Sequence, residues 1–185
     1  MSKPADDGSR WTPRVVLVGM MGSGKTTVGR LVADRLGSRF SDTDEEVEAS
    51  CGVSVQEMFE RRGESVFRRA ETDALNTLLA PGGPRVVAVG GGAVLSEANR
   101  QVMRREATVV WLRAGVGTLT DRLGTGEGRP LLGGGSQRDV TEARLAGLNG
   151  EREHLYGTVA HVVVDTDDLS PEEVADAVVS GLPYL

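Results

Sequence analysis

The sequence holds a single cysteine, Cys51, which excludes an intramolecular disulfide framework or a cysteine-cluster metal site and makes a reducing compartment the natural setting. Cys51 itself reads as an ordinary small side chain. Positive charge is scarce: 21 Lys and Arg stand against 27 Asp and Glu, a net charge of −6. That balance argues against general attraction to nucleic acid or an anionic membrane and favours small-molecule partners. Long apolar runs are missing too. Met1 to Arg14 has no apolar core of signal-peptide length, and no later run approaches the ~20 residues of a membrane span, so a cytoplasmic location is expected. The two histidines, His154 and His161, lack metal-ligand spacing and read as packed or surface residues. No internal repeat or domain linker is visible.

What is present begins with a glycine-rich stretch, Gly19-Met20-Met21-Gly22-Ser23-Gly24-Lys25-Thr26-Thr27, directly after the apolar run Val15–Val18. Gly19, Gly24, Lys25 and Thr26 fit G-x-x-x-x-G-K-[ST], a loop whose backbone N–H groups wrap a phosphate at a helix N-terminus. The glycines permit positive φ and close backbone approach, Lys25 reaches the β- and γ-phosphates, and the Thr26 hydroxyl is placed for Mg²⁺. Val28, Leu31, Val32 and Leu36 follow at helical spacing. A nucleoside triphosphate is the expected ligand.

A chain of 185 residues suits one core. Residues 1–13 are polar and read as a flexible tail, leaving 14–185 as one domain. Along it, the patterns predict a strand at Ser38–Ser41, helices broken near Gly52, a helix from Glu64 to Leu79 and a strand at Arg85–Val89. A helix near Ser96–Arg104, a strand at Ala107–Leu112 and a helix over Val116, Leu119 and Leu123 come next. A helix from Thr141 to Tyr156, a strand at His161–Asp165 and a helix opened by Pro171 complete the series. Almost wholly apolar strands alternating with helices predict an α/β fold with a parallel sheet covered on both faces. The glycine-rich stretch at about 124–138 is long for a compact domain, as functional segments are.

A kinase must also hold a metal, position an acceptor hydroxyl and neutralise charge on the transferred group. Asp42 and Asp44 follow the second strand and suit the metal and the hydroxyl, or alternatively a turn or helix cap. Arg68 reads either as a fork for a substrate anion or as part of a solvated helix face. Arg152, among acidic neighbours, reads either as a partner for the same anion or as a surface ion pair. Gly90-Gly91-Gly92 at a strand end suggests backbone N–H groups facing a ligand. Arg129, within the glycine-rich segment, suits a lid arginine that acts on closure.

Taken together, these residues resemble the shikimate kinase family, in the nucleoside-monophosphate-kinase-like branch of the P-loop proteins. The resemblance spans most of the chain after the tail. It is carried by Gly19 to Thr26, Asp42-Thr43-Asp44, Phe59, Phe67-Arg68-Arg69-Ala70-Glu71, Gly90-Gly91-Gly92-Ala93-Val94, Arg129-Pro130-Leu131-Leu132 and Arg152 through Tyr156. It implies a three-layer α/β/α P-loop kinase fold with a five-stranded parallel sheet of order 2-3-1-4-5. It further implies ATP-dependent phosphorylation of the shikimate 3-hydroxyl, giving shikimate 3-phosphate and ADP in aromatic amino-acid biosynthesis; a monomer is expected. By position, Lys25, Asp44 and Arg129 would be catalytic. Gly22, Ser23, Gly24, Lys25, Thr26, Thr27, Arg122 and Arg129 would bind ATP, with Arg122 against adenine. Thr26 and Asp42 would serve Mg²⁺. Asp44, Phe59, Phe67, Arg68, Gly90 to Gly92 and Arg152 would bind shikimate, with the two arginines on its carboxylate. Two departures stand out: His154 where the family commonly has proline, and the acidic Asp167-Asp168 where related chains often place a basic residue. Another kinase of this fold, such as a gluconate kinase, and a nucleotide-binding module without turnover are the alternatives.

Overall fold

Val15, Val16, Leu17 and Val18 are all fully buried, and their alternation sets the architecture because successive side chains point to opposite faces of a strand. In the computed structural model, which describes residues 14–83, 86–124 and 138–183, they form β1 (Val15–Val18). Then come α1 (Lys25–Arg35), β2 (Phe40–Asp42), α2 (Thr43–Cys51), α3 (Val55–Arg62), α4 (Glu64–Leu78), β3 (Val86–Ala88) and a 3-10 turn (Ala93–Leu95). The order continues with α5 (Glu97–Glu106), β4 (Thr108–Arg113), α6 (Val116–Leu123), α7 (Arg138–Val159), β5 (Val162–Asp165) and α8 (Pro171–Ser180). The expected tail of 1–13 and nearly all of the 124–138 segment, Arg129 included, lie outside the described residues.

The strands form a parallel sheet of order β2-β3-β1-β4-β5, the order the resemblance implies. Val15 and Leu17 pack with Val28 and Val32 of α1 and Val174 and Val178 of α8. Val16 and Val18 face the other way, onto Leu75 of α4, Met103 of α5, Leu119 of α6 and Leu145 of α7. Both faces are therefore covered, the physical reason that the strands read as continuous apolar runs. A smaller cluster of Val47, Met58, Phe67 and Ala74 joins α2, α3 and α4 beside the sheet.

Two differences from the expected elements bear on the site. The second strand is displaced toward the C-terminus, ending at Asp42, whose side chain caps α2 by accepting the Asp44 N–H; Thr43 and Asp44 are therefore helical. Helix α7 begins at Arg138 and runs past Tyr156 to Val159. Having His154 rather than proline keeps a backbone N–H inside that helix. His161 precedes β5 and joins it to β4, its Nδ1 accepting the Val109 N–H at 2.9 Å while its own N–H donates to the Val109 carbonyl at 2.8 Å. Among the described residues, no helix is long and apolar enough to cross a membrane.

Candidate active site

The loop after β1 takes its shape from glycines that cannot be replaced. Gly19 has φ +145, and a Cβ there would stand 2.5 Å from the Leu112 carbonyl oxygen and 2.9 Å from Ser23 Oγ. Gly24, at φ 90, is the left-handed N-cap of α1, a helix with no side-chain cap and no acid in its first turn. The first N–H groups of α1 are thus left for an anion, which the positive helix end also favours. Lys25 is folded onto the loop, its Nζ donating to the Gly19 and Met20 carbonyls at 2.9 and 2.8 Å. A phosphate oxygen offers that cation a stronger, charge-assisted partner. Ser23 is buried, and its hydroxyl has no partner among the described residues.

Asp42 serves two neighbours at once. Its Oδ2 accepts from Thr26 Oγ1 at 2.8 Å, and its Oδ1 accepts the Asp44 backbone N–H at 3.0 Å. The capping alternative is therefore real, and it coexists with a position against the phosphate loop. Among the described residues, no cluster of three or more His, Cys, Asp or Glu could hold a metal. Thr26 and Asp42 instead present two hard oxygens beside the phosphate cradle, a set that fits Mg²⁺ when phosphates and water complete the shell. Asp44 occupies a drier position. Burial, then the Asp42 and Glu71 charges, push its carboxyl from 3.8 up to about 6, with Lys25 and Arg68 pulling the other way. Its Oδ1 is buried and has no hydrogen-bond partner among the described residues. A partly buried carboxylate held well above its ordinary value, with one buried oxygen short of a donor, has the character of a general base.

Arg68 and Arg152 reach the cavity from α4 and α7. Arg68 Nη1 donates to Glu71 Oε2 at 2.7 Å, and its Nη2 and Nε donate to Glu64 Oε1 at 3.0 and 3.2 Å. These bonds orient the guanidinium fork, so Arg68 is not simply part of a solvated face. Burial pulls its basicity down, but Glu71 and Glu64 outweigh that and hold Arg68 above its ordinary value. Glu71 is 1% exposed; burial pushes its carboxyl up, against the pull of Arg68 and Arg152. Arg152 is 2% exposed, which removes the surface ion pair as an alternative. Its Nε and Nη1 are buried without an acceptor among the described residues, a costly state for a guanidinium. Phe59 and Phe67, with ring centroids 4.7 Å apart, form a wall, and Arg68 lies over Phe67 at 5.2 Å.

The three glycines after β3 do more than present a row of donors. The Gly90 N–H donates to Thr43 Oγ1 at 3.0 Å, so that donor is already engaged. A Cβ on Gly90 would collide with Glu71 Oε1 and come within 3.0 Å of Asp44 Oδ1, and one on Gly92 would collide with the Arg68 guanidinium. Glycine at 90 and 92 is needed so that the acids and Arg68 can close over the strand end. Farther along the cavity, Arg122 donates from Nη1 to Thr166 Oγ1 at 3.0 Å and from Nη2 to the Thr166 carbonyl at 2.6 Å. The acidic stretch beside it is structural in part: Asp167 accepts the Gly115 N–H at 2.9 and 3.2 Å, and Ser170 caps α8.

Apart from Arg129, every site residue expected from the sequence lines one cavity of about 920 Å³. Glu71, Thr166, Leu169 and Val174 line it as well, and none had been assigned a role. The signal for Glu71 was its place three residues after Arg68, which puts both on one helix face. Thr166, Leu169 and Val174 carry no such signal, because only the β5–α8 connection brings them there. A cavity with a phosphate cradle on one side and a buried carboxylate with two arginines on the other suits a nucleotide and a small anion together. On a sheet of this order it defines a P-loop small-molecule kinase.

Comparison with known proteins narrows that class. Residues 21–183 match the family model described as shikimate kinase, and the chain belongs to that family. It is 42% identical to the shikimate kinase of Nitrosospira multiformis over 171 residues, covering 92% of this chain and 85% of that one. Its fold matches that of the shikimate kinase from Acinetobacter baumannii in complex with shikimate, with a TM-score of 0.85 at 36% identity and coverage of 92% of each chain. A gluconokinase from Sinorhizobium meliloti, at 22% identity and a TM-score of 0.55, shares the fold alone.

Proposed function

We infer that the protein is an ATP-dependent kinase that phosphorylates the 3-hydroxyl of shikimate, yielding shikimate 3-phosphate and ADP. The observation that carries this reading is Arg152, a buried guanidinium short of acceptors in the same cavity as Asp44 and the phosphate loop. A substrate carboxylate completes Arg152 and Arg68, and the substrate hydroxyl completes Asp44. Asp44 then accepts the hydroxyl proton as the oxygen attacks the γ-phosphoryl group, and Lys25 moves from the loop carbonyls to the phosphates. Arg122 lies against adenine. Thr26 and Asp42 would hold Mg²⁺, which would supply neutralisation of phosphate charge. Residues 14–185 act as one domain with a lid at about 124–138 whose Arg129 covers the phosphates, preceded by a tail of 1–13. The proposed kinase acts as a monomer, and the net charge of −6 disfavours nucleic acid as a partner.

The test is ADP release measured with ATP and Mg²⁺, alone and with shikimate or gluconate, for the wild type and Lys25→Ala. Turnover should require shikimate and be nearly lost in the folded Lys25→Ala variant. Turnover with gluconate alone, or none with either acceptor, would overturn the assignment.

A further inference from the structure

A buried phenol ties the turn after β3 to the phosphate loop. Tyr156 is 1% exposed; it stands one turn after Arg152 on α7, and its ring stacks on Trp111 of β4 at 5.7 Å between centroids. Its hydroxyl donates to the Gly91 carbonyl at 2.6 Å and lies 3.6 Å from Met20 Sδ in the phosphate loop. Gly91 is packed against that loop, since a Cβ there would stand 3.4 Å from both Gly19 O and Met21 N and 3.7 Å from the Tyr156 oxygen. One hydroxyl therefore touches both the loop that cradles phosphate and the strand end that faces the acceptor. Burial pushes the phenol up to about 12, with Arg152 pulling down, so it remains a donor at neutral pH.

The hydrogen bond also sets a direction. The Gly91 carbonyl and the Gly92 N–H belong to one planar trans peptide and point opposite ways; the described residues contain no cis peptide bond. Holding the carbonyl toward Tyr156 aims the Gly92 N–H away from it. Gly92 lines the cavity and packs on the Arg68 guanidinium, and its N–H donates to no acceptor among the described residues. Resting on the reading of this cavity as a shikimate and ATP site, we propose that Tyr156 is a positioning residue. It orients the Gly91–Gly92 peptide so that the Gly92 N–H joins Arg68 and Arg152 in binding the acceptor's carboxylate, in register with the phosphate loop.

Tyr156→Phe keeps the ring and removes only the hydroxyl. Val159→Ala, in the core of the same helix, serves as a control that loosens packing without touching the hydrogen bond. Tyr156→Phe should raise the shikimate KM about tenfold, the scale of one lost hydrogen bond, with the ATP KM within about twofold of wild type. Val159→Ala should lower Tm with both KM values unchanged. In the ligand-free protein, the Gly91 carbonyl ¹³C resonance should move upfield in Tyr156→Phe, and the shikimate-induced shift of the Gly92 amide should shrink. A wild-type shikimate KM in Tyr156→Phe, the same KM rise in Val159→Ala, or an unmoved Gly91 carbonyl would each overturn the proposal. If the wild type fails to phosphorylate shikimate, the functional reading falls instead, while the carbonyl resonance, recorded without substrate, still judges the Tyr156 contact.

Discussion

Asp44 and Arg152 illustrate opposite ways in which one buried charge can belong to a site. The folded protein holds the Asp44 proton up to about pH 6, whereas the unfolded chain releases it near 3.8. Between those values the unfolded state binds fewer protons, so this group makes stability fall as pH rises, by about 3 kcal/mol in all, and the loss levels off above pH 6. Asp44→Asn should therefore raise the Tm of the ligand-free protein at pH 7, with the gap narrowing toward pH 4; a residual slope remains because Glu71 is raised in the same sense. The same variant should lower kcat by ~10²-fold or more, since an amide cannot take the hydroxyl proton. Melting curves across pH beside steady-state rates test both halves, and a rate near wild type would reduce Asp44 to a helix residue. Arg152→Met should weaken shikimate binding by about 1.5–3 kcal/mol, the range of charge-assisted hydrogen bonds, and leave ADP affinity nearly unchanged. Calorimetry with each ligand separates the two, and equal losses would move Arg152 away from the acceptor.

At the scale of elements, α7 carries Arg152 into the cavity and Tyr156 into the core beside it although its sequence includes Gly147 and Gly150. Both glycines are exposed, and a Cβ on either would meet nothing within 4 Å. Replacing each with alanine should stabilise the protein by about 1 kcal/mol, the helix-propensity difference, and nearly additively if the two act independently. Denaturant midpoints should shift upward with unchanged m-values; a loss of stability would mean that these positions contact something the helix surface does not reveal. The helix itself was legible from its apolar spacing, but its start was not, because the expected boundary at Thr141 rested on composition and α7 begins at Arg138. β2 was displaced for a related reason: a three-residue strand has too little pattern to set its own limits. Its end is fixed by pairing of Asp42 with Ala88 of β3.

For the whole molecule, the stretch between α6 and α7 links two helices that both line the cavity, through Arg122 and Leu123 on one side and Arg152 on the other. If Arg129 covers the transferred group from that link, Arg129→Ala should lower kcat by about 10²-fold or more with far smaller changes in the affinities of ADP and shikimate, and Arg129→Lys should restore only part of the rate. Rates measured beside equilibrium binding decide this, and a normal kcat in Arg129→Ala would leave the segment as a passive cover. The fold class is readable in advance because β1 and β3 are apolar throughout and β4 is apolar from Val109 to Leu112, the pattern of a sheet buried on both faces. The phosphate loop was equally readable, since its glycines, lysine and threonine are contiguous and the chemistry is local. The sequence alone also supplied Asp42, Asp44 and Arg68 as candidates, but it left each with a bland alternative. Tertiary structure bears on these alternatives, because burial and missing partners are properties of what surrounds a residue. It put Arg152 inside the molecule without enough acceptors, engaged the Gly90 N–H on Thr43 while glycine at 90 and 92 leaves room for Glu71, Asp44 and Arg68, and brought Tyr156 onto Gly91 across 65 positions of chain.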